Sequence, residues 1–478
     1  MNQITLPAAD LKQALPGLSK VVSRISHLPV LHSIRLTRTQ AGAVTLSATD
    51  LDTFVSYHLE QPQPGQALDL LLPFEQLNKT GKGSDVVVIP EARLKARLRY
   101  LVAGTNLEQS VATLAPDEFP PTPKITEPGC KLPDFFGECL RQAFETSSTD
   151  GSRHVIQGAY LDIKDPKCHS LVSTNGHSLF TANTFQFDLK EPVNLSRQKF
   201  LEWPGFLTGE CELAVQTDKS NSGWVRLTTP RWDCLVKQID GQFPNWRQCV
   251  PQDTEQWTRV LLSEAAIKQM LNLAGKLPGD DTEHRPLRLR IDKELHLEGK
   301  NKDDKEFTSA QIPEVTITGK PVTTALNREY LQTALRCGLD EIRIHTELKP
   351  LLFMKPGKRM VIMPVNPKGP PTASPTAGAK PETTTPPQPA TEAQPERKTD
   401  MTTTTESKPS APKPAPAGDP LKLALDQIEA VRGHLRESVG ALNRLTGLLK
   451  QVGKDNRSTE KEVASVRQTL RSLQGLKI

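Results

Sequence analysis

Periodicity and internal repetition point to an α+β chain built from three tandem copies of one unit, extended by a low-complexity segment and a helical tail. Sequence motifs recur at a spacing of about 124 residues, and within each copy the hydrophobic period changes from helical to alternating. A third observation, an abrupt loss of large apolar side chains after residue 367, separates the copies from the tail.

The repeat is legible in three places. "VTLSATDLDTF" (44–54) is answered by "HSLVSTNGHSLF" (169–180), with Thr49 and Thr174 125 positions apart. "APDEFPPTP" (115–123) is answered by "IDGQFPNWR" (239–247), with Phe119 and Phe243 124 apart. "LPFEQLNKT", "LSRQKFLEW" and "LNREYLQTA" begin at Leu72, Leu195 and Leu326, in steps of 123 and 131. Solenoid repeats are much shorter, so these are globular units, drawn at 1–120, 121–250 and 251–367. A chain of 478 residues is too long for one ordinary core and accommodates about three domains.

In the first copy, "AADLKQALPGLSKVVSRI" carries apolar residues at helical spacing, and Pro16-Gly17 is expected to kink or split that helix. The stretches "SIRLTRT", "AVTLSATDL" and "TFVSYHLEQ" alternate with period two and read as strands. "PFEQLNKTGKG" is a second short helix, and strands resume in "DVVVIP", "ARLKARLRYLVAG" and "SVATLA". Each unit is therefore helix plus strands, performed twice, with antiparallel meanders.

Composition narrows the class. Hydrophobic residues make up 36% and mean hydropathy is −0.44, and no apolar run approaches the ~18 residues of a membrane span. "MNQITLPAADLKQAL" lacks a charged segment followed by an apolar one, so a cytoplasmic rather than exported protein is expected. The seven cysteines include no C-x-x-C pair, which fits free thiols better than disulfides or zinc. Residues 1–367 hold 43 basic and 43 acidic residues, so the net charge of +5 lies wholly in the tail. A body that bound nucleic acid by raw charge would be basic; this one must segregate charge onto one surface.

From Lys368 to Asp419 the chain is Pro, Thr, Ala and Lys, too poor in apolar surface to offset its ordering entropy, and reads as an extended disordered linker. Residues 420–478 then carry a heptad pattern. Leu421, Ile428, Leu435, Leu442, Leu449, Val463 and Leu470 share one position, and Ala424, Val431, Leu445, Val452, Val466 and Leu473 the other. Only Ser438, Asn456 and Thr459 interrupt it, so a coiled coil is expected, or a hairpin if "VGKDNRST" folds it back. Gly433, Gly440 and Gly447 each cost ~1 kcal/mol of helix propensity, which calls for a helix that needs a partner.

"STNGHSLF" (173–180) sets a histidine beside a hydroxyl, the look of a nucleophile and its base. His177 and Ser178 are neighbours on an expected strand, so their side chains point to opposite faces and cannot pair. Asp50 and Asp52 of "SATDLD" share a face and read as turn caps or solvated groups. No phosphate loop, H-E-x-x-H or paired-carboxylate signature occurs. No catalysis, metal or cofactor is expected; the segment reads as a docking site.

The order "LPVLHSIRL…VTLSATDLDTFVSYHL", "GAYLDIKD…LVSTNGHSLF", "IDGQFPNWR" and a terminal "VIMPV" resembles the bacterial DNA polymerase III beta subunit, the sliding clamp, over residues 1 to about 367. The resemblance implies three DNA-clamp domains per chain, a head-to-tail homodimer closing a six-domain ring, and duplex DNA held in the hole without regard to its sequence. It implies that the replicative polymerase, clamp loader and repair polymerases dock through clamp-binding peptides in a pocket between the second and third domains. Carried over by motif, that pocket would use Ile156, Thr174, Gly176, His177, Ser178 and Leu179, with Pro244, Gln248 and Cys249. The third domain would add Asn327, Tyr330, Leu348, Val361, Met363, Pro364, Val365 and Asn366. Two apolar anchors buried in such a cleft yield roughly 3–6 kcal/mol gross, which leaves micromolar affinity for exchangeable partners.

The family places its helices around the hole. Expected DNA-facing cations are Lys12, Lys20, Arg24, Lys79, Lys82, Arg141, Arg153, Arg197, Lys199, Lys268, Arg328 and Arg336. Retention by threading makes the neutral body intelligible, because tight phosphate binding would slow sliding. The chain departs from the family's "TDGHRL" at Asn175 and Ser178, and from its basic positions at Gln248 and Asn366, so the pocket rim has lost positive charge. The family is silent on the tail, read here as an oligomerisation or recruitment module. The competing reading is a clamp-like scaffold that recruits partners without encircling DNA.

Overall fold

A computed structural model of the chain describes residues 3–23, 26–217, 223–251, 257–279 and 285–365. The chain divides into two compact units, Met1–Glu382 and Thr383–Ile478, and every described residue lies in the first. The linker, the coiled coil, Arg24 and Asn366 fall outside the described residues.

One sequence of elements occurs three times. The first repeat runs β1 (Ile4–Leu6), α1 (Ala8–Leu18), β2 (Ser33–Arg38), β3 (Val44–Thr49), β4 (Thr53–His58) and β5 (Leu68–Pro73). It continues with α2 (Phe74–Thr80), β6 (Val86–Glu91), β7 (Lys95–Val102) and β8 (Thr105–Ala112). The second runs β9 (Cys130–Leu132), α3 (Phe136–Thr146), β10 (Gly158–Asp162), β11 (His169–Thr174), β12 (Ser178–Phe185) and β13 (Val193–Ser196). Then come α4 (Lys199–Glu202), β14 (Cys211–Thr217), β15 (Gly223–Thr228) and β16 (Trp232–Lys237). The third runs β17 (Thr258–Leu262), α5 (Glu264–Ala274), β18 (Pro286–Ile291), β19 (Leu295–Gly299), β20 (Thr308–Ile312), β21 (Val315–Thr318) and β22 (Val322–Asn327). It closes with α6 (Arg328–Arg336), β23 (Glu341–Ile344), β24 (Leu351–Lys355) and β25 (Lys358–Ile362). β21 has no counterpart in the other two.

Pairing follows one rule. Each repeat makes two antiparallel half-sheets, and the outer strand of one repeat's first half joins the last strand of the next repeat. Thus β4 pairs with β16, giving the sheet β5-β2-β3-β4-β16-β15-β14-β9. Likewise β12 pairs with β25, giving β13-β10-β11-β12-β25-β24-β23-β17-β21. The sheets β1-β6-β7-β8 and β20-β19-β18-β22 end in β8 and β20, each paired on one side only.

Strand alternation splits the apolar residues between two faces. On one face, Val55 and Cys234 belong to a continuous core that also takes in Leu11, Leu140, Met270 and Leu331 of the helices. On the other, two smaller clusters mark the repeat junctions: Phe54, Phe119 and Leu235 at the first, Leu179, Phe243 and Val361 at the second. All six α-helices of the described residues therefore lie on one side of the sheets.

Pro16-Gly17 does not split α1, contrary to the sequence expectation: the helix runs unbroken through both residues and ends at Leu18. Pro16 sits in the last turn, so its missing N–H falls close to the helix end, and the Ser19 hydroxyl donates to the Pro16 carbonyl at 2.6 Å. Gly17 has a packing reason: a Cβ there would lie 2.6 Å from ring atoms of both Trp203 and Trp232 of the second repeat. Nearby, the Tyr57 hydroxyl donates to the buried Asp10 at 2.8 Å, tying α1 to β4. Caps hold the third repeat's helices, with Ser263 accepting from the Ala266 N–H at 3.0 Å and Asn327 from the Glu329 N–H at 2.7 Å.

All seven cysteines are free thiols. Burial pushes the thiols of Cys211 and Cys337 up to about 12, which makes them poor nucleophiles. No described helix is long and apolar enough to cross a membrane.

Candidate functional site

The β12–β25 junction organises the site. Thr174, Leu179, Val361 and Leu352 stand in one register row across β11, β12, β25 and β24. On the face opposite the helices, Leu179, Val361 and Leu352 join Ile156, Val172, Phe243 and Trp246 in a separate apolar cluster. Three residues expected from sequence, Ile156, Leu179 and Val361, thus come together as its floor.

The turn Thr174–Ser178 forms one edge, and its geometry answers the question raised by "STNGHSLF". Asn175 Oδ1 accepts from the N–H groups of His177 and Ser178 at 2.9 and 2.8 Å and from the Ser178 hydroxyl at 3.1 Å. The Thr174 hydroxyl donates to the Ser178 carbonyl at 2.7 Å. Gly176 takes φ +91°, which the reversal requires. Ser178 is buried and its hydroxyl committed, so it is no nucleophile. The exposed His177 ring instead stacks against Tyr330 of α6, with centroids 6.5 Å apart and planes 14° apart. An amide at position 175 thus completes the turn without a negative charge.

The segment that follows β25, the last described strand, closes the far side. The Met363 N–H donates to the His177 carbonyl at 2.9 Å, and the Val365 N–H to Ala325 at 2.8 Å. Met363 is 44% exposed beside the buried floor, while Pro364 and Val365 are half-buried. Pro244, Gln248 and Cys249 are exposed on the segment that carries Phe243 and Trp246. This wall is pinned from behind: the Trp246 indole donates to Asp162 at 2.8 Å, and the Arg247 guanidinium also donates there. Tyr160 and Phe243 stack at 4.6 Å. Burial by itself would raise the Asp162 pKa, but donation from the Lys164 N–H, Arg247 and Trp246 outweighs it and holds the carboxyl below its usual range.

Two expected residues stand differently. Asn327 is buried and spends its side-chain oxygen on the α6 cap. Leu348 lies on the β23–β24 loop, 57% exposed and outside the apolar cluster.

Of the expected cations, Lys12, Lys79, Arg141, Lys199, Lys268, Arg328 and Arg336 lie on helices, and Lys20, Lys82 and Arg197 flank them. Several are already engaged. Lys79 pairs with Glu75 at 2.7 Å, Lys268 with Glu264 at 2.6 Å, Arg336 with Glu145 at 3.6 Å, and Arg197 with Glu202. Arg328 donates to the Pro278 carbonyl at 3.1 Å, and desolvation lowers its pKa. Arg153 is on no α-helix. It lies in the 3-10 turn Gly151–Ile156, so close to Gly176 that a Cβ there would be 2.8 Å from its guanidinium. It stands against the Gly176 turn rather than among the helix cations.

Sequence reasoning missed Tyr160, Asp162, Val172, Trp246 and Leu352. Alternation along β10, β11 and β24 was the available signal, but nothing in it says which face meets which repeat. Among the described residues no His/Cys/Asp/Glu group could hold a metal. The arrangement suits docking of an apolar anchor against fixed polar edges.

No family model matches the chain. The beta sliding clamp of Pseudomonas putida is 22% identical over 341 residues, covering 69% of this chain and 89% of that protein. The beta sliding clamp of Vibrio cholerae is 21% identical over 353 residues, covering 72% and 92%. The crystal structure of the DNA polymerase III subunit beta from Pseudomonas aeruginosa superposes with a TM-score of 0.64 at 19% identity, covering 76% of this chain and all of that one. The described part of the chain has the sliding-clamp fold, and the relatives' names support the beta sliding clamp family.

Proposed function

We propose that this chain is the non-catalytic sliding clamp of a bacterial replicative DNA polymerase, acting in the cytoplasm as a ring-shaped homodimer around duplex DNA. One observation carries the reading: the unpaired sheet edges β8 and β20. Within the chain, first-half outer strands β4 and β12 each pair with the last strand of the next repeat. The same rule leaves β20 to pair with β8 of a second copy, and two such joints close a ring of six units. Leu107 on β8 and Phe307 beside β20 are 41% and 36% exposed, apolar surface that such a joint would cover. Uncovered edges of this kind are otherwise an aggregation hazard.

With the helices on one side of every sheet, closing the ring turns them toward the hole. The pocket of Leu179, Val361, Leu352 and Met363 then lies on the other side, free to take clamp-binding peptides from polymerase, loader and repair partners. Residues 1–120, 121–250 and 251–367 are the three clamp domains. Segment 420–478, joined by the linker 368–419, is a self-association or recruitment module on the strength of its heptads.

The test is retention on a nicked circular plasmid. The protein should stay on the circle and be released when the circle is linearised, and sedimentation should give a dimer. A protein that binds circle and linear form alike, or neither, is a scaffold or a simple binder and overturns the reading.

A further inference from the structure

We propose that Phe307 is the anchor of the joint between two copies, and that it meets Ser110 of the partner subunit across a seam lacking its apolar mate. This rests on the reading above, in which β20 of one copy pairs with β8 of the next. The repeats fix which residues face each other. In the first repeat the ladders lead from Leu72 through Ile34, Leu36 and Leu46 to Tyr57. The same path from Leu195 reaches Ala182, and from Leu326 it reaches Ala310. Three residues before these counterparts stand Phe54, Leu179 and Phe307.

The other side of each junction is fixed in the same way. The N–H groups of Leu114, Ile239 and Val365 donate to the carbonyls of Leu71, Asn194 and Ala325, each one residue before the leucines of that series. Four residues before these donors stand Ser110, Leu235 and Val361. Within the chain the counterparts do meet, Phe54 in register with Leu235 and Leu179 with Val361. The same register at the open joint sets Phe307 against the partner's Ser110.

The chemistry of that contact differs from the internal ones. Phe54, Leu179, Leu235 and Val361 are all buried, whereas Phe307 and Ser110 are exposed. Cations hold the Phe307 ring in place: the Arg288 guanidinium lies 3.5 Å from its centroid and the Lys300 ammonium 5.0 Å. Arg288 alternates with the buried Leu287 and Leu289, so it stands on the sheet face away from the helices. That is the face on which the two internal junctions carry their apolar clusters. Across β7 from Ser110 stands Arg97, committed to Glu91 and Glu108, where the second junction has Leu352. Each internal junction is thus closed by an apolar pair, and the joint between copies by an aromatic ring against a hydroxyl. A ring without an apolar mate gains only part of the burial energy of such a pair, which leaves this seam the reversible one.

Sedimentation equilibrium of the full-length protein gives the dimer Kd for Phe307→Ala, Ser110→Leu and the two combined. Both side chains are exposed in the single chain, so each variant should fold with an unchanged circular dichroism spectrum. Ser110→Leu supplies the side chain found at Leu235 and should tighten the dimer about tenfold or more. Phe307→Ala should loosen it by a similar factor. Most of the gain from Ser110→Leu should vanish when Phe307 is already alanine, because both substitutions act on one contact. No tightening by the first, no loosening by the second, or simple additivity overturns the proposal, and a dimeric unsubstituted protein then leaves the clamp reading standing. An unsubstituted protein that stays monomeric at every concentration overturns both.

Discussion

The Trp246 indole N–H and the Asp162 carboxylate meet at 2.8 Å, with Asp162 only 1% exposed, and this contact fixes the segment that carries Phe243 and Trp246 to β10. Replacing the carboxylate by Asn should leave donors unmet and cost about 1–3 kcal/mol of stability, read as a lower denaturant midpoint. The effect should depend on pH. The folded pKa lies below the unfolded one, so the contribution is complete above the usual carboxylate range and fades as pH falls through the lower folded value. Stability curves for the native chain and Asp162→Asn should therefore converge in acid; parallel curves would contradict this.

Met363 offers a cleaner probe of the cleft, because at 44% exposure its truncation leaves the core intact. Met363→Ala should weaken a clamp-binding peptide about tenfold, or ~1.4 kcal/mol, with unchanged thermal stability. A fluorescent-peptide titration decides it.

Arg153 should matter to the same titration and not to duplex binding, since it stands against the Gly176 turn. Arg153→Gln should lower affinity for a peptide with an acidic flank severalfold while leaving duplex anisotropy unchanged. The reverse result would return Arg153 to the DNA-facing set.

Gly17 gives the sharpest packing prediction. A methyl group there meets Trp203 and Trp232 at 2.6 Å, so Gly17→Ala should destabilise the chain by about 1–3 kcal/mol through overpacking. Helix propensity alone predicts a gain of up to ~1 kcal/mol, so the sign of the melting shift discriminates.

Leu107→Asp on the free edge β8 should shift the sedimentation equilibrium from dimer toward folded monomer. Unaltered association would remove the edge-pairing argument.

Much of the fold was legible beforehand because period-two and period-3.6 patterns are local, and because three copies of one pattern reinforce each other. β2, β3, β4, α2 and β6 stand close to where alternation put them. β1, β5 and the first half of β8 were missed, being short or, like "TNLEQS", polar along an edge. Pro16 misled because its effect depends on how far the helix continues, and the helix stops two residues later.

By itself the sequence determined the repeat, the alternating faces and the turn at Asn175–Gly176, since each follows from neighbours in the chain. The expectation that His177 and Ser178 are neighbours on one strand did not hold, because His177 stands in the turn and β12 begins at Ser178. Only the tertiary structure decided that Leu352 and Val361 complete Leu179's row, that Asp162 holds Trp246, and which helix cations are already neutralised. Leu179 and Val361 come from different repeats, Asp162 and Trp246 stand 84 positions apart, and Arg336 meets Glu145 of another repeat; no local pattern records such pairings.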